Sequence, residues 1–262
     1  MPTDAYSLTH SGAKQIPIGL VSVPVAASEA TTADVLSSLR SGGAVNDPER
    51  IYFEMLLGEM PIGVTVHSLI EQGDKKDGGY SYELEMEAVM PNGARINSVV
   101  TSHLNSNYEP KNVEVRREVK VPNGTSERTV TVARIGADTV TIRRGIQGET
   151  LSENTVACPD RPFVFAIEFI IQRVDLERLP SFALREFDVE DWTVKTQHFR
   201  VETGSDGIRR LVSREDNGEV GYVFEVDGKG ELFSWTEPPL PVVLKRCSRE
   251  RFEELRKSMQ ER

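Results

Sequence analysis

The chain has 262 residues, 38% of them hydrophobic and 27% charged, with a formal net charge of -10 at neutral pH. That composition suits a water-soluble protein with one substantial core and argues against a disordered chain. The acidic balance repels phosphate backbones and anionic bilayers, which argues against nucleic acid as a partner.

Residues 1–14 are polar and mixed. Ile16, Ile18, Leu20, Val21, Val23 and Val25 then read as an extended segment, which Pro17 and Pro24 confine to a sheet edge. The stretch Ile16 to Ala27 is too short to span a bilayer, and only Lys14 stands before it as the basic region of a secretory signal. The compartment is left open: cytoplasm or, if a signal was removed, periplasm or cell envelope. Thr31 and Thr32 are candidate N-caps for a short helix through Val35, Leu36 and Leu39, stopped by Gly42-Gly43. Residues 1–48 read as an N-terminal extension with an edge strand and this helix. Residues 49–262 show no linker and no shift of composition, and read as a single antiparallel β domain with a C-terminal helix.

From Ile51 the period becomes two. Tyr80, Tyr82, Leu84, Met86 and Ala88 share one face of a strand, with Ser81, Glu83, Glu85 and Glu87 on a wet face. Pro91-Asn92-Gly93 supplies a turn into Ile96, Ser98, Val100 and Ser102. Val113, Val115, Val119 and Val121 follow, with a turn at Pro122-Asn123-Gly124, then Val130 and Val132, a break at Gly136-Ala137-Asp138, and Val140 and Ile142. Strands joined by such short turns are antiparallel neighbours.

Asp160-Arg161-Pro162 precedes Phe163 to Ile171, which is apolar on nearly every side. Asp before an early Pro signals a helix start, and the expectation is a buried helix ending by Leu179-Pro180; a fully buried strand is the competing reading. Strand patterns resume from Trp192 to Val201 and from Ile208 to Ser213. Asp216-Asn217-Gly218 turns into Val220, Tyr222, Phe224 and Val226, and Asp227-Gly228-Lys229-Gly230 turns into Leu232 to Trp235. Pro238, Pro239 and Pro241 break the sheet, and Ser248 caps a helix from Arg249 to Gln260 with Phe252 and Leu255 as its apolar contacts.

Catalytic and metal motifs are missing. His67 with Glu71 and His198 with Glu202 have metal-like spacing, but residues four apart on a strand cannot share one ion. His67, His103 and His198 read as ordinary half-exposed histidines. No Cys-x-x-Cys, His-Glu-x-x-His, Gly-x-Ser-x-Gly or phosphate loop occurs, so neither metal, cofactor nor enzymatic activity is expected. Asp188, Glu190 and Asp191 form an acidic cluster before Trp192, read as a solvated turn rather than a weak cation site. The basic pairs Arg116-Arg117, Arg143-Arg144 and Arg209-Arg210 lie in strand-like runs without interleaved aromatics and read as solvated faces. Cys158 and Cys247 permit one disulfide, with two unpaired thiols as the alternative. Tyr80, Tyr82, Leu84, Met86, Phe163, Phe165 and Phe169 are the candidates to line an apolar concavity, with a filled core as the competing reading.

Ile51-Tyr52-Phe53, Gly58, Pro61-Ile62-Gly63, Leu104, Tyr108-Glu109-Pro110, the mid-chain apolar segment and the closing hairpin Tyr222 to Leu232 occur in an order that resembles the half-barrel envelope proteins of the LolA/LolB and LppX type and related bacterial envelope families. The resemblance spans roughly residues 50 to 245. It implies an incomplete β-barrel wrapped around a helix and, by extension, a non-enzymatic protein holding a lipid or lipoprotein acyl chain between sheet and helix. The alternative is a structural or interaction domain with a packed core, contacting a protein through a sheet edge or the Pro-rich segment 238–241.

Overall fold

The structure, a computed structural model, describes residues 29–39, 49–72, 78–122, 124, 126–146, 152–158, 160–189, 191–204, 207–238 and 240–261. The expected segment Ile16–Val25 and the Gly42-Gly43 stop lie outside them, as do Asn123, Glu190 and Pro239.

Helix α1 (Thr32–Ser38) begins with a capping box. The Thr31 N–H donates to the Asp34 carboxylate at 2.8 Å, and the Asp34 N–H donates to the Thr31 hydroxyl at 3.4 Å. The chain then enters fourteen strands: β1 (Glu49–Leu57), β2 (Met60–Gln72), β3 (Gly79–Val89), β4 (Arg95–Asn105), β5 (Pro110–Lys120), β6 (Ser126–Ile135), β7 (Thr139–Ile146) and β8 (Ser152–Ala157), followed by β9 (Ser181–Asp188), β10 (Thr193–Thr203), β11 (Arg209–Glu215), β12 (Val220–Val226), β13 (Leu232–Thr236) and β14 (Val242–Arg246). Two meanders, β1 to β8 and β9 to β14, join where β1 pairs antiparallel with β14, which leaves β8 and β9 as the edges of one sheet.

The mainly β, antiparallel fold expected from the period-two pattern is the one observed. Three strands escape that pattern. β8 is exposed at all six residues, so it has no apolar face to read. In β9, Arg185 and Glu186 interrupt Phe182, Leu184 and Phe187. β14 follows directly on Pro241, because a proline just ahead of a strand removes no ladder hydrogen bond.

Between β8 and β9 the chain crosses the inner side of the sheet, and here the expectation needs correcting. The helix does not start at Asp160. The Val164 N–H donates to the Arg185 carbonyl at 2.7 Å and the Phe187 N–H donates to the Val164 carbonyl at 2.9 Å, so this run lies parallel to β9 and satisfies its edge. Ala166, at φ 62°, turns the chain into α2 (Ile167–Ile171), a five-residue helix with every residue buried. The same segment touches the first meander, where the Phe165 N–H donates to the Tyr108 carbonyl at 2.9 Å. One short segment can reach both β9 and the first meander only if the sheet curls around it.

Helix α3 (Arg249–Gln260), capped by Ser248, covers the opposite face. Phe252, Leu255 and Met259 pack on Val64 and Val66, so Ile62 through Leu69 of β2 are buried in succession, against α2 on one side and α3 on the other. The carboxylates of Glu85 and Glu87, expected to be wet, both meet Arg256 of α3. Cys158 packs against the main core and Cys247 against the small cluster under α3, and both are free thiols.

Candidate functional site

Cross-strand registers divide the inner face into rows. One row runs Leu69, Tyr82, Ser102, Val113 and Ala133, and all five are buried. Tyr82 stands edge-on to Phe165 at 5.2 Å and to Phe169 at 6.2 Å. Beyond it, Tyr80 stacks on Tyr108 at 4.8 Å, and the guanidinium of Arg173, which donates to Glu49 at 2.6 Å, lies over both rings. Phe163, Phe165 and Phe169 are 0%, 7% and 0% exposed, which seals this end. Five of the seven candidate lining residues (Tyr80, Tyr82, Phe163, Phe165 and Phe169) therefore form the plug and its seat.

Toward the other end the pattern changes. A second row passes through Trp235, Leu244, Met55, Gly63, Ala88, Ile96 and Val119. Here Met55, Ile96, Val119, Trp235 and Leu244 are only partly buried, as are Leu84 and Met86 on the same face. Gly63 keeps this wall smooth: a Cβ there would sit 2.6 Å from the Glu87 carbonyl oxygen and 2.9 Å from Met55 Sδ. Of the predicted lining residues, Leu84 and Met86 belong to this open end. Met55, Trp235 and Leu244 were not legible as partners, because the β1–β14 pairing joins distant parts of the chain.

The second meander supplies a polar rim to the same end. A groove of about 670 Å³ is lined by residues including Asp188, Asp191, Lys195, Gln197, Tyr222 and Glu237. Lys195 bridges Asp188 at 2.6 Å and Asp191 at 2.8 Å, so the predicted acidic turn carries its own cation. Gln197, 2% exposed, accepts from the Ser213 hydroxyl at 2.7 Å. Tyr222 connects rim and wall, with its ring 5.9 Å from that of Trp235 and its hydroxyl bonded to Glu186. Burial raises the Glu186 carboxyl to about 8; the Tyr222 hydroxyl opposes the rise, and the negative charges of Glu168, Asp188 and Glu237 add to it.

Between plug and open end lies a polar contact that sequence spacing did not show. His67, expected to be half exposed, is 1% exposed, and its Nδ1 stands 2.7 Å from Glu168 Oε1 on α2. A carboxylate only accepts, so the proton sits on Nδ1. The Tyr82 hydroxyl also bonds Glu168 and lies 3.3 Å from His67 Nδ1; burial, then the charge of Glu168, raises its pKa. His198 pairs with Glu29 at 2.7 Å and Asp216 at 2.9 Å rather than with Glu202. Among the described residues, no group of three or more His, Cys, Asp or Glu is placed to hold a metal, and no helix is long and apolar enough to cross a membrane.

No family model matches the sequence, and no curated protein matches it. Among solved structures, the chain is similar to a beta-barrel-like protein of the domain of unknown function DUF1849 from Brucella abortus. The TM-score is 0.50 and the identity 12%, over 76% of this chain and 94% of that one. That likeness supports the fold: a β-barrel-like architecture shared with a bacterial protein.

Proposed function

We propose that the protein is a non-catalytic binding protein that holds an apolar ligand, a lipid or an acyl chain, in the open end of its curled sheet. The observation that carries this reading is the contrast along one inner face. Its apolar side chains are sealed under α2 at one end and partly exposed at the other, where Met55, Leu84, Met86, Ile96 and Val119 share the inner face of the curled sheet. Concave apolar walls edged by a few polar groups are the usual form of a small-molecule site. The resemblance to LolA/LolB and LppX envelope proteins belongs to the same proposal.

Native mass spectrometry of protein purified from a lipid-rich host, before and after solvent extraction, tests it. The expected result is a stoichiometric adduct that extraction removes and that Met86→Asp abolishes in a still-folded protein. Phe165→Asp would not serve, since Phe165 is part of the packed plug. A clean apo mass with no uptake of added lipid would instead favour a protein-interaction module. Its contact would then be edge strand β8, where Val156 is 38% exposed, or the segment around Leu240, which is 58% exposed.

A further inference from the structure

Two buried polar atoms have no hydrogen-bond partner among the described residues: His67 Nε2 and Trp235 Nε1. Their rings meet edge to face with centroids 5.8 Å apart, where the plug gives way to the open end. Buried polar atoms without a protein partner are uncommon in folded chains, and two on touching rings mark a place where something else completes the bonding.

Their chemistry restricts what that is. An indole N–H can only donate. In the neutral imidazole that points its proton at Glu168 from Nδ1, Nε2 offers a lone pair. The pair therefore asks for a group that accepts one hydrogen bond and donates another. An ammonium cannot accept from the indole. A carboxylate cannot donate to such an Nε2.

We infer that the polar end of the ligand is an uncharged hydroxyl, accepting from Trp235 Nε1–H and donating to His67 Nε2, with its apolar chain on the wall of Met55, Met86 and Ile96. This rests on the binding function proposed above and specifies the ligand class as a neutral long-chain alcohol or acylglycerol.

The test compares 1-decanol, decanoate and decylammonium by calorimetry at neutral pH, with Trp235→Phe as the variant and the indole N–H resonance of Trp235 as a second readout. Trp235 is only partly buried, and a thermal melt checks that the variant folds. Decanol is expected to bind at least about tenfold more tightly than either charged probe. Trp235→Phe is expected to remove about tenfold of decanol affinity and to leave the charged probes unchanged, and decanol should shift the indole resonance. Equal affinities, tighter decanoate or decylammonium, or an unaffected Trp235→Phe variant would overturn the inference while leaving an apolar site standing. If none of the three binds, the apolar-ligand reading fails, and millimolar 1-butanol then decides the hydroxyl site alone. A shift of the indole resonance sustains the site; an unmoved resonance means that a resident water completes the pair, and overturns it.

Discussion

The two ends of the inner face are built from the same strands and the same residue types, yet one is a core and the other a mouth. Tyr82 and Met86 are four residues apart on β3. Tyr82 is 3% exposed against Phe165 and Phe169, whereas Met86 is partly exposed. The difference is not in the strand but in what crosses it: five residues of α2, held by the His67–Glu168 contact, cover one end only. A hydrophobic strand face therefore does not by itself distinguish packing from binding. The element laid across it decides.

The strongest way to break the comparison is to empty the sealed end. Phe169→Ala should cost about 3–5 kcal/mol in chemical denaturation, as expected for a buried aromatic, while Met86→Ala should cost about 1–2 kcal/mol. Equal losses would mean that both ends are packed alike. Glu168→Ala, which leaves the buried His67 donor without its acceptor, should cost about 1–3 kcal/mol and lower the melting temperature by several degrees.

The titration of Glu186 sharpens the comparison from the rim. Its folded value of about 8 lies above the ordinary 4.5, so the folded state keeps a proton that the unfolded chain has released in that window. Stability should therefore be full below pH 4.5, fall as pH rises toward 8 and level off above it. The fall should be up to about 5 kcal/mol, and Glu186→Gln should flatten it. At His198 the sign is the same: its bonds first to Asp216 and then to Glu29 raise its pKa. The stabilisation is present below the ordinary histidine value and lost as pH rises through the raised one. His198→Gln should remove that small dependence.

The smallest expected effect lies outside the inner face. Val156→Lys on the exposed edge strand should change stability by no more than about 0.5 kcal/mol, read by the same denaturation.

Hairpins and their inward residues were legible because period-two alternation and Gly-containing turns are local signals. Ile96 to Ser102, Val113 to Val119 and the capped helix after Ser248 all follow from neighbours in sequence. What was not legible depends on distant chain. Asp160 and Pro162 resemble a helix start, but the open edge of β9 takes Val164 as a bridge, and only the last five residues of the run, Ile167–Ile171, turn helical. Glu168 looks like an ordinary charge until α2 brings it to His67. Leu84 and Met86 were recognised as lining residues, while Trp235 and Leu244 were not, because their row passes through the β1–β14 pairing.

The most direct test of the binding account uses methionine methyl groups as reporters. Met55 and Met86 stand on the open wall, Met259 is 5% exposed under α3 on the opposite face, and Met60 is 46% exposed on the surface. In a methyl-labelled spectrum titrated with nitroxide-bearing methyl stearate, the account predicts broadening of Met55 and Met86 first, with Met259 unchanged. Broadening of Met60 alone, or of all four together, would contradict it.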